Sequence, residues 1–368
     1  MLPRLGIDRK PPNRDPGCAR RAAGLRLGLP WLAVAFGAWA LLAGCASPGR
    51  QKPLLEAAPG AKRWPPPPAE ARIRYLGAFA SARDLGARPG LWERIVGEEP
   101  AERLVAPTDV AVAGDNLVFV IDRDVPAVHR FDLAAREHDI LGAGRLEVPA
   151  ALCWTGDRLL IADAGAGAIL AWSGGAGMTR FDRDAPGRPA GLAFVPESGR
   201  LYVSDLAEGA ILAYDAEGRR TGILDAGEVS LGAPTHLAYH PATGLVVSDA
   251  LAGRLVRLDP DGRLLGTIGA PGDAPGDLAL PKGVAVDSQG NIYVVDARFE
   301  NVQLFDADGH LLMAFGQEGS GEGEFWLPAG LCIDPRDRIW VADTYNCRVQ
   351  VFEFLGVASD ANQEAVQN

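Results

Sequence analysis

Two residues recur along this chain at a nearly constant separation, and that recurrence restricts the fold more than any other feature. A proline opens a short apolar run at Pro107, Pro149, Pro189, Pro234, Pro281 and Pro328. An aspartate closes the next run at Asp122, Asp163, Asp205, Asp249, Asp296 and Asp343. The proline-to-aspartate spacings are 15, 14, 16, 15, 15 and 15, and successive aspartates stand 41, 42, 44, 47 and 47 residues apart. Six such units across 104–354 mark a repeat architecture, in which each unit buries its apolar faces against its neighbours.

The fifth unit shows the parts. Gly283–Asp287 reads as a strand, Ser288–Asn291 as a turn, and Ile292–Asp296 as a second strand. Asn301–Asp306 is a third strand, Ala307–Gly309 a second turn, and Leu311–Phe315 a fourth strand. Gly290 and Gly309 supply the positive φ that such turns require. The second strand is apolar at successive positions, so both its faces are buried. Four short antiparallel strands per unit predict an all-β fold, a six-bladed β-propeller of four-stranded blades. Solenoid repeats share the periodicity but are usually shorter or helical.

Several stretches resemble NHL repeats: Leu280-Pro-Lys-Gly-Val-Ala-Val-Asp287, Gly290-Asn-Ile-Tyr-Val-Val-Asp296 and Asn301-Val-Gln-Leu-Phe-Asp306. So do Leu327-Pro-Ala-Gly330, Trp340-Val-Ala-Asp-Thr-Tyr-Asn346 and Arg348-Val-Gln-Val-Phe352. Units five and six carry the resemblance best, units two and three least. The resemblance implies a propeller over all six units. It implies little about activity, because that family includes enzymes, ubiquitin-ligase substrate domains and RNA binders.

Unit six ends at its third strand, Arg348–Phe354, and lacks a fourth. Ile73–Phe79 resembles Leu311–Phe315 and stands before unit one with no blade of its own. It is therefore expected to pair with 348–354 as the outer strand of blade six, closing the ring without an open edge.

The N-terminal region has a different character. Arg20, Arg21 and Arg26 precede an uncharged apolar run of 17 residues, Leu27–Ala43, ending in Leu42-Ala43-Gly44-Cys45. A basic flank, an apolar core and small residues before a cut describe a secretory signal. The Leu-Ala-Gly-Cys box makes it resemble a bacterial lipoprotein signal, which implies cleavage before Cys45 and a lipid on its sulfur. The alternative, a transmembrane anchor, would ordinarily run to about 20 residues. Ala46, where an Asp would argue for retention at the inner membrane, points to the outer membrane. The expected organisation is a signal peptide at 1–44, the lipidated Cys45 with a proline-rich tether to 71, a propeller at 72–355, and a polar tail at 356–368. Trp64-Pro65-Pro66-Pro67-Pro68 reads as a stiff extended spacer within that tether.

Loss of 1–44 removes seven basic and two acidic residues, leaving 29 Lys and Arg against 45 Asp and Glu, a net charge of −16. A surface of that sign repels phosphate backbones, which argues against nucleic acid as a partner. Cys332 and Cys347 fall on strands two apart in blade six. Two strand spacings are about 9.6 Å, beyond the roughly 7 Å that a disulfide spans. Both are read as buried thiols, although an oxidising compartment would permit a bridge.

In an up-and-down blade with strands a to d, the b–c and d–a connections share one face. The connection from Phe79 to Pro107 is 28 residues, against 13 from Phe315 to Pro328. Its insertion at 84–106 carries Trp92 and Ile95, which serve either a binding loop or a cap over apolar surface. The expected binding face carries Trp92, Arg298, Phe299, Tyr345 and Asn346, with Asp109 and His236 near the channel mouth. Aromatic and Arg residues commonly dominate such interfaces. The competing reading is that these loop residues only cap their blades. The six repeat aspartates are read as acceptors of backbone N–H groups rather than as a ring of metal ligands.

An NHL-like lyase that cleaves peptidyl-α-hydroxyglycine places zinc-binding histidines directly after the blade proline. Here those positions are Thr108, Ala150, Ala190, Thr235, Lys282 and Ala329. His236, one residue further on, is a single imidazole, and a zinc site needs three or four protein ligands. The Glu, Asn and Asp set of gluconolactonase-like propellers does not map onto this chain. No cofactor or metal is expected. The reading that follows is a monomeric, non-catalytic scaffold, lipid-tethered in the cell envelope and facing the periplasm, with a protein or peptide partner. A metal-dependent lyase or lactonase-like hydrolase working in the channel is the alternative, and binding of glycan or cell-wall polymer is a third.

Overall fold

The computed structural model describes residues 55, 57–86, 103–175, 177–224, 227 and 229–356. Contacts divide the chain into residues 1–52 and 53–368, and every described residue belongs to the second unit. The signal segment, Cys45, Trp92, Ile95 and the tail beyond 356 lie outside the described residues. Among those described, no helix is long and apolar enough to cross a membrane.

Six antiparallel sheets form the blades. In blade one, strands a to d are Pro107–Ala113, Leu117–Asp122, Ala127–Asp132 and Glu137–Leu141. Blade two has Pro149–Trp154, Leu159–Asp163, Ala168–Trp172 and the short Thr179–Arg180. Blade three has Pro189–Val195, Arg200–Asp205, Ala210–Tyr214 and Arg220–Leu224. Blade four has Pro234–His240, Gly244–Asp249, Arg254–Leu258 and Leu264–Ile268. Blade five has Pro281–Val286, Ile292–Asp296, Asn301–Phe305 and Leu311–Phe315. Blade six takes strands a to c from Pro328–Ile333, Arg338–Asp343 and Arg348–Phe354.

The burial pattern explains the ring. The central residues of strand b are buried in every blade, with no alternation. A strand so apolar must be covered on both faces, and a neighbouring blade on each side does that. The core accordingly falls into six clusters, one between each consecutive pair of blades. Strands a meet one another around the axis, and strand a of blade six meets that of blade one. Proline begins each strand a, where its missing N–H is tolerated.

Closure follows the expected route. Ile73–Phe79 lies antiparallel to Arg348–Phe354, with Ile73 opposite Phe354 and Phe79 opposite Val349. The ring reaches further back than residue 72, however. Arg63–Trp64 pairs with Arg74 and Ile73 as a fifth strand, and the Arg72 N–H donates to the Trp64 carbonyl. The Trp64 ring lies 5.9 Å from Phe315 and 5.8 Å from Phe352. Gly323 has no side chain where the indole sits; a Cβ there would run into it. The proline stretch is thus the turn of a hairpin on blade six, which corrects the spacer reading for 63–71. A two-residue strand has no periodicity to betray it, and the indole provides the burial that holds it.

Candidate functional site

The six repeat aspartates are fully buried, and their partners explain the repeat. Each reaches back across strand a to the linker before its own proline. Asp122 accepts from the N–H groups of Val105 and Ala106, and from Asp124 and Val125 in its own b–c loop. Asp163 does so with Glu147, Val148, Gly165 and Ala166. Asp205 uses Gly187, Arg188, Ala207 and Glu208. Asp296 uses Ala279, Leu280, Arg298 and Phe299. In blade four, Asp249 takes Gly232 and Ala233. Each carboxylate therefore ties the end of strand b to the adjacent d–a linker, on one face of the ring. Backbone N–H groups are thus the main partners of five of the six, as the turn-capping reading requires.

On that fixed backbone the expected binding residues divide. Arg298 is exposed. Tyr345 is 48% exposed, and its ring packs 5.5 Å from that of Trp326. Phe299, expected as an exposed aromatic, is half-buried. The Asn346 side-chain amide donates to the Gly319 carbonyl and the Asp343 carboxylate, which commits it to the blade. Sequence reasoning missed three apolar neighbours on this face: Val148, Leu251 and Leu280, exposed by 50%, 79% and 36%. They stand beside the repeat anchors, in linkers and a b–c loop, and that offset was the available signal.

The channel mouth opens on the same face. A one-residue bulge follows the proline in all six strands a. Two residues after the proline, the neighbouring strand comes very close: a Cβ on Gly191, Gly283 or Gly330 would run into the next blade. Blades one, two and four carry Asp109, Ala151 and His236 in this layer. Below it lies a cavity of about 250 Å3, lined by all six strands a, Asp109 and His236 included.

Asp109 accepts the Leu152 N–H of the next blade at 2.8 Å, and burial pushes its carboxyl up to about 7. His236 Nδ1 is out of reach of solvent with no hydrogen-bond partner. Burial, with the nearby charge of Lys282, pulls its imidazole down to about 4. Lys282 is held below the ordinary lysine value by burial and then by the charge of Arg123. Glu300 accepts the Leu327 N–H at 2.6 Å, and burial raises it to about 7. The sequence singled out Lys282 only as unable to bind zinc; its place among titratable groups from three blades depends on ring geometry.

Other titratable groups are structural. Asp306, Asp308 and His310 approach one another on the opposite face. Asp306 Oδ1 accepts the N–H groups of Asp308 and His310, as Asp215 and Asp259 do in the corresponding turns of blades three and four. The trio is a repeated turn. In blade one, His129 Nδ1 lies 3.0 Å from His138 Nε2. Of the cysteines, Cys153 and Cys332 are free thiols, so Cys332 is not bridged to Cys347. Cys347 is buried, with its sulfur 3.8 Å from the Tyr345 carbonyl. It closes the turn after Asp343 at φ 55°, outside the strand ladder in which the sequence placed it.

Residues 325–352, in blade six, match the NHL repeat family model. No curated protein matches the sequence. Among solved structures, a protein of unknown function from Bacteroides thetaiotaomicron is 19% identical, with a TM-score of 0.58 over 69% of this chain and 70% of that one. An auxiliary nutrient binding protein from the same organism is 15% identical, with a TM-score of 0.57 over 68% and 69%. Virginiamycin B lyase from Staphylococcus aureus is 13% identical, with a TM-score of 0.52 over 68% and 95%. These likenesses are of fold, which the chain shares with binding proteins and with lyases alike.

Proposed function

We propose that this propeller is a non-catalytic binding scaffold of the bacterial cell envelope, tethered by a lipid on Cys45 and facing the periplasm from the outer membrane. It takes a protein or peptide on the face that carries the b–c loops and d–a linkers. One observation carries the reading. Of the eight large hydrophobic residues exposed among the described residues, four (Val148, Leu251, Leu280 and Tyr345) stand on that face. Buried carboxylates fix the backbone beside them. Apolar side chains on loops that are already ordered bind without a further cost of ordering. Auxiliary nutrient binding proteins of the same fold agree with a binding role.

The test is positional. A photo-crosslinking residue at Tyr345 or Leu251, on the full chain in its membrane, should capture a partner that the same residue at Gln289 or Asp308, on the opposite face, does not. Equal capture from both faces would remove the site. The tether has its own test: Cys45→Ala should release the protein from the membrane fraction.

Chemistry in the channel is the second reading, since virginiamycin B lyase shares the fold. The layer after the blade prolines offers one imidazole, His236, and one carboxyl, Asp109. Stoichiometric zinc or calcium in the purified protein, removed by chelation together with an activity, would favour that reading over the scaffold.

A further inference from the structure

We infer that the channel mouth receives a carboxylate group, held by the ammonium of Lys282 with His236 beside it as hydrogen-bonding partner. The inference deepens the scaffold reading and shares its face, but its test does not depend on the rim.

Lys282 is half-buried, and no carboxylate or carbonyl among the described residues pairs with it. The nearby carboxylate, Glu300, directs Oε2 to the Leu327 N–H instead. A half-buried cation without a partner is costly unless an anion meets it. Its place on the strand puts it at the mouth: Lys282 directly follows Pro281 and precedes Gly283, whose backbone lies against Ala329 and Leu331 of blade six. The charges of His236 in blade four, Arg123 in blade one and Glu300 in its own blade bear on it or feel it, in keeping with a place near the axis. The layer also holds two buried polar atoms without partners, His236 Nδ1 and Thr108 Oγ1. Cation and orphan acceptor or donor thus share the mouth of the channel.

The charge balance selects the ligand. One cation is uncommitted, because Arg123 is paired with Asp124 at 3.3 Å. Asp109 and Glu300 stand close by, and the propeller as a whole is strongly acidic. Recognition of a doubly charged phosphate ordinarily draws on several cationic donors, so a monoanion fits this mouth better. The cavity beneath, about 250 Å3, accepts on the order of eight heavy atoms. A carboxylate of that size comes either from a small organic acid or from the C-terminus of a peptide.

The experiment uses the full-length protein, solubilised in detergent, and three probes: acetate, the tripeptide Ala-Ala-Ala, and its C-terminal amide. Calorimetry gives affinity, and 13C-labelled histidine reports on the imidazole of His236. The free tripeptide should bind at least about tenfold tighter than the amide, the range expected when one partner of a desolvated charge pair is removed. Lys282→Met should lose about the same factor, and Lys282→Arg should retain binding. Bound carboxylate should raise the titration midpoint of His236. Acetate binding as well as the tripeptide would assign the site to small acids, whereas a much tighter tripeptide assigns it to peptide ends. Equal binding of acid and amide, unchanged binding by Lys282→Met, or no binding of either carboxylate overturns the inference. Should Lys282→Met fail to fold, the acid-to-amide comparison on the unsubstituted protein decides alone. Position-dependent crosslinking at Tyr345 is unaffected by any of these results, so the two readings fail separately.

Discussion

In blade three, Asp205 accepts from four backbone N–H groups, those of Gly187, Arg188, Ala207 and Glu208. In blade six, Asp343 takes one backbone N–H, from Trp326, and side chains fill the rest: Asn346 Nδ2, Arg348 Nε and Gln350 Nε2. Both carboxylates hold a b–c loop to a linker. Backbone donors are present whichever residue occupies the position, so blade three keeps its geometry while its sequence drifts. Side-chain donors must be Asn, Arg and Gln, so blade six displays them. The NHL match falls on 325–352, the span whose motif residues converge on Asp343.

The sharpest way to break this comparison is to remove each carboxylate. Asp205→Ala leaves four N–H groups that cannot re-aim, and a buried donor without an acceptor costs about 1–3 kcal/mol. The expected loss in urea unfolding is about 4 kcal/mol, against about 2 kcal/mol for Asp343→Ala, whose side-chain donors keep the carbonyls of Gly319, Gly321 and Glu324. Equal losses would show that backbone and side-chain donors are interchangeable after all.

The next test addresses the closure of blade six. Trp64→Ala should cost about 2 kcal/mol, below the usual figure for a wholly buried aromatic because the indole is half-exposed. Hydrogen exchange should quicken in 73–79 and 348–354 and stay unchanged in 200–205. Uniform quickening would mean that the ring opens as a whole and the blades are not separable.

Acid separates blade one from both. Burial, then the charge of His138, holds His129 at about 4. Its ordinary value is about 6.5, so between these values the unfolded chain binds the proton more readily. Stability is full above about pH 6.5 and is lost as pH falls toward 4, on the order of 3 kcal/mol for a fully buried group. Asp343 has the opposite sign. Burial raises its pKa, so protonation in acid is not opposed by the fold there. Protection factors should therefore fall in 127–141 before they fall in blades three and six on acidification, and His129→Gln should flatten the slope.

The smallest effect concerns the exposed rim. Tyr345→Ala, a surface change on the b–c loop of blade six, should alter stability by no more than about 0.5 kcal/mol while partner capture falls. A large destabilisation would make Tyr345 part of the blade.

Legibility followed the same division between side-chain and backbone determinants. The proline and aspartate anchors, the six blades and the pairing of 73–79 with 348–354 were readable because each depends on a side chain at a fixed spacing. Arg63–Trp64 was not, since four prolines look alike in a spacer and in a hairpin turn. The contact of His129 with His138 depends on the c–d register of blade one, which no single residue announces. Phe299 looked exposed because loops usually are, and Asn346 looked available because nothing in a sequence shows that its amide is already engaged. Lys282 became notable only when the ring brought blades one, four and five around it.

Blade six draws its outer strands from one end of the described chain and its inner strands from the other, with Ile73 opposite Phe354. A ribosome releases those halves far apart in time, and nothing made in between can stand in for the missing one. Contacts of such long range are slow to form, and an unfinished product keeps unpaired strand edges in the meantime. A chain truncated before Arg348 would present Ile73–Phe79 with no partner, as a substrate for proteases. The seam thus works as a length gauge: only a polypeptide synthesised to its last blade can close the ring.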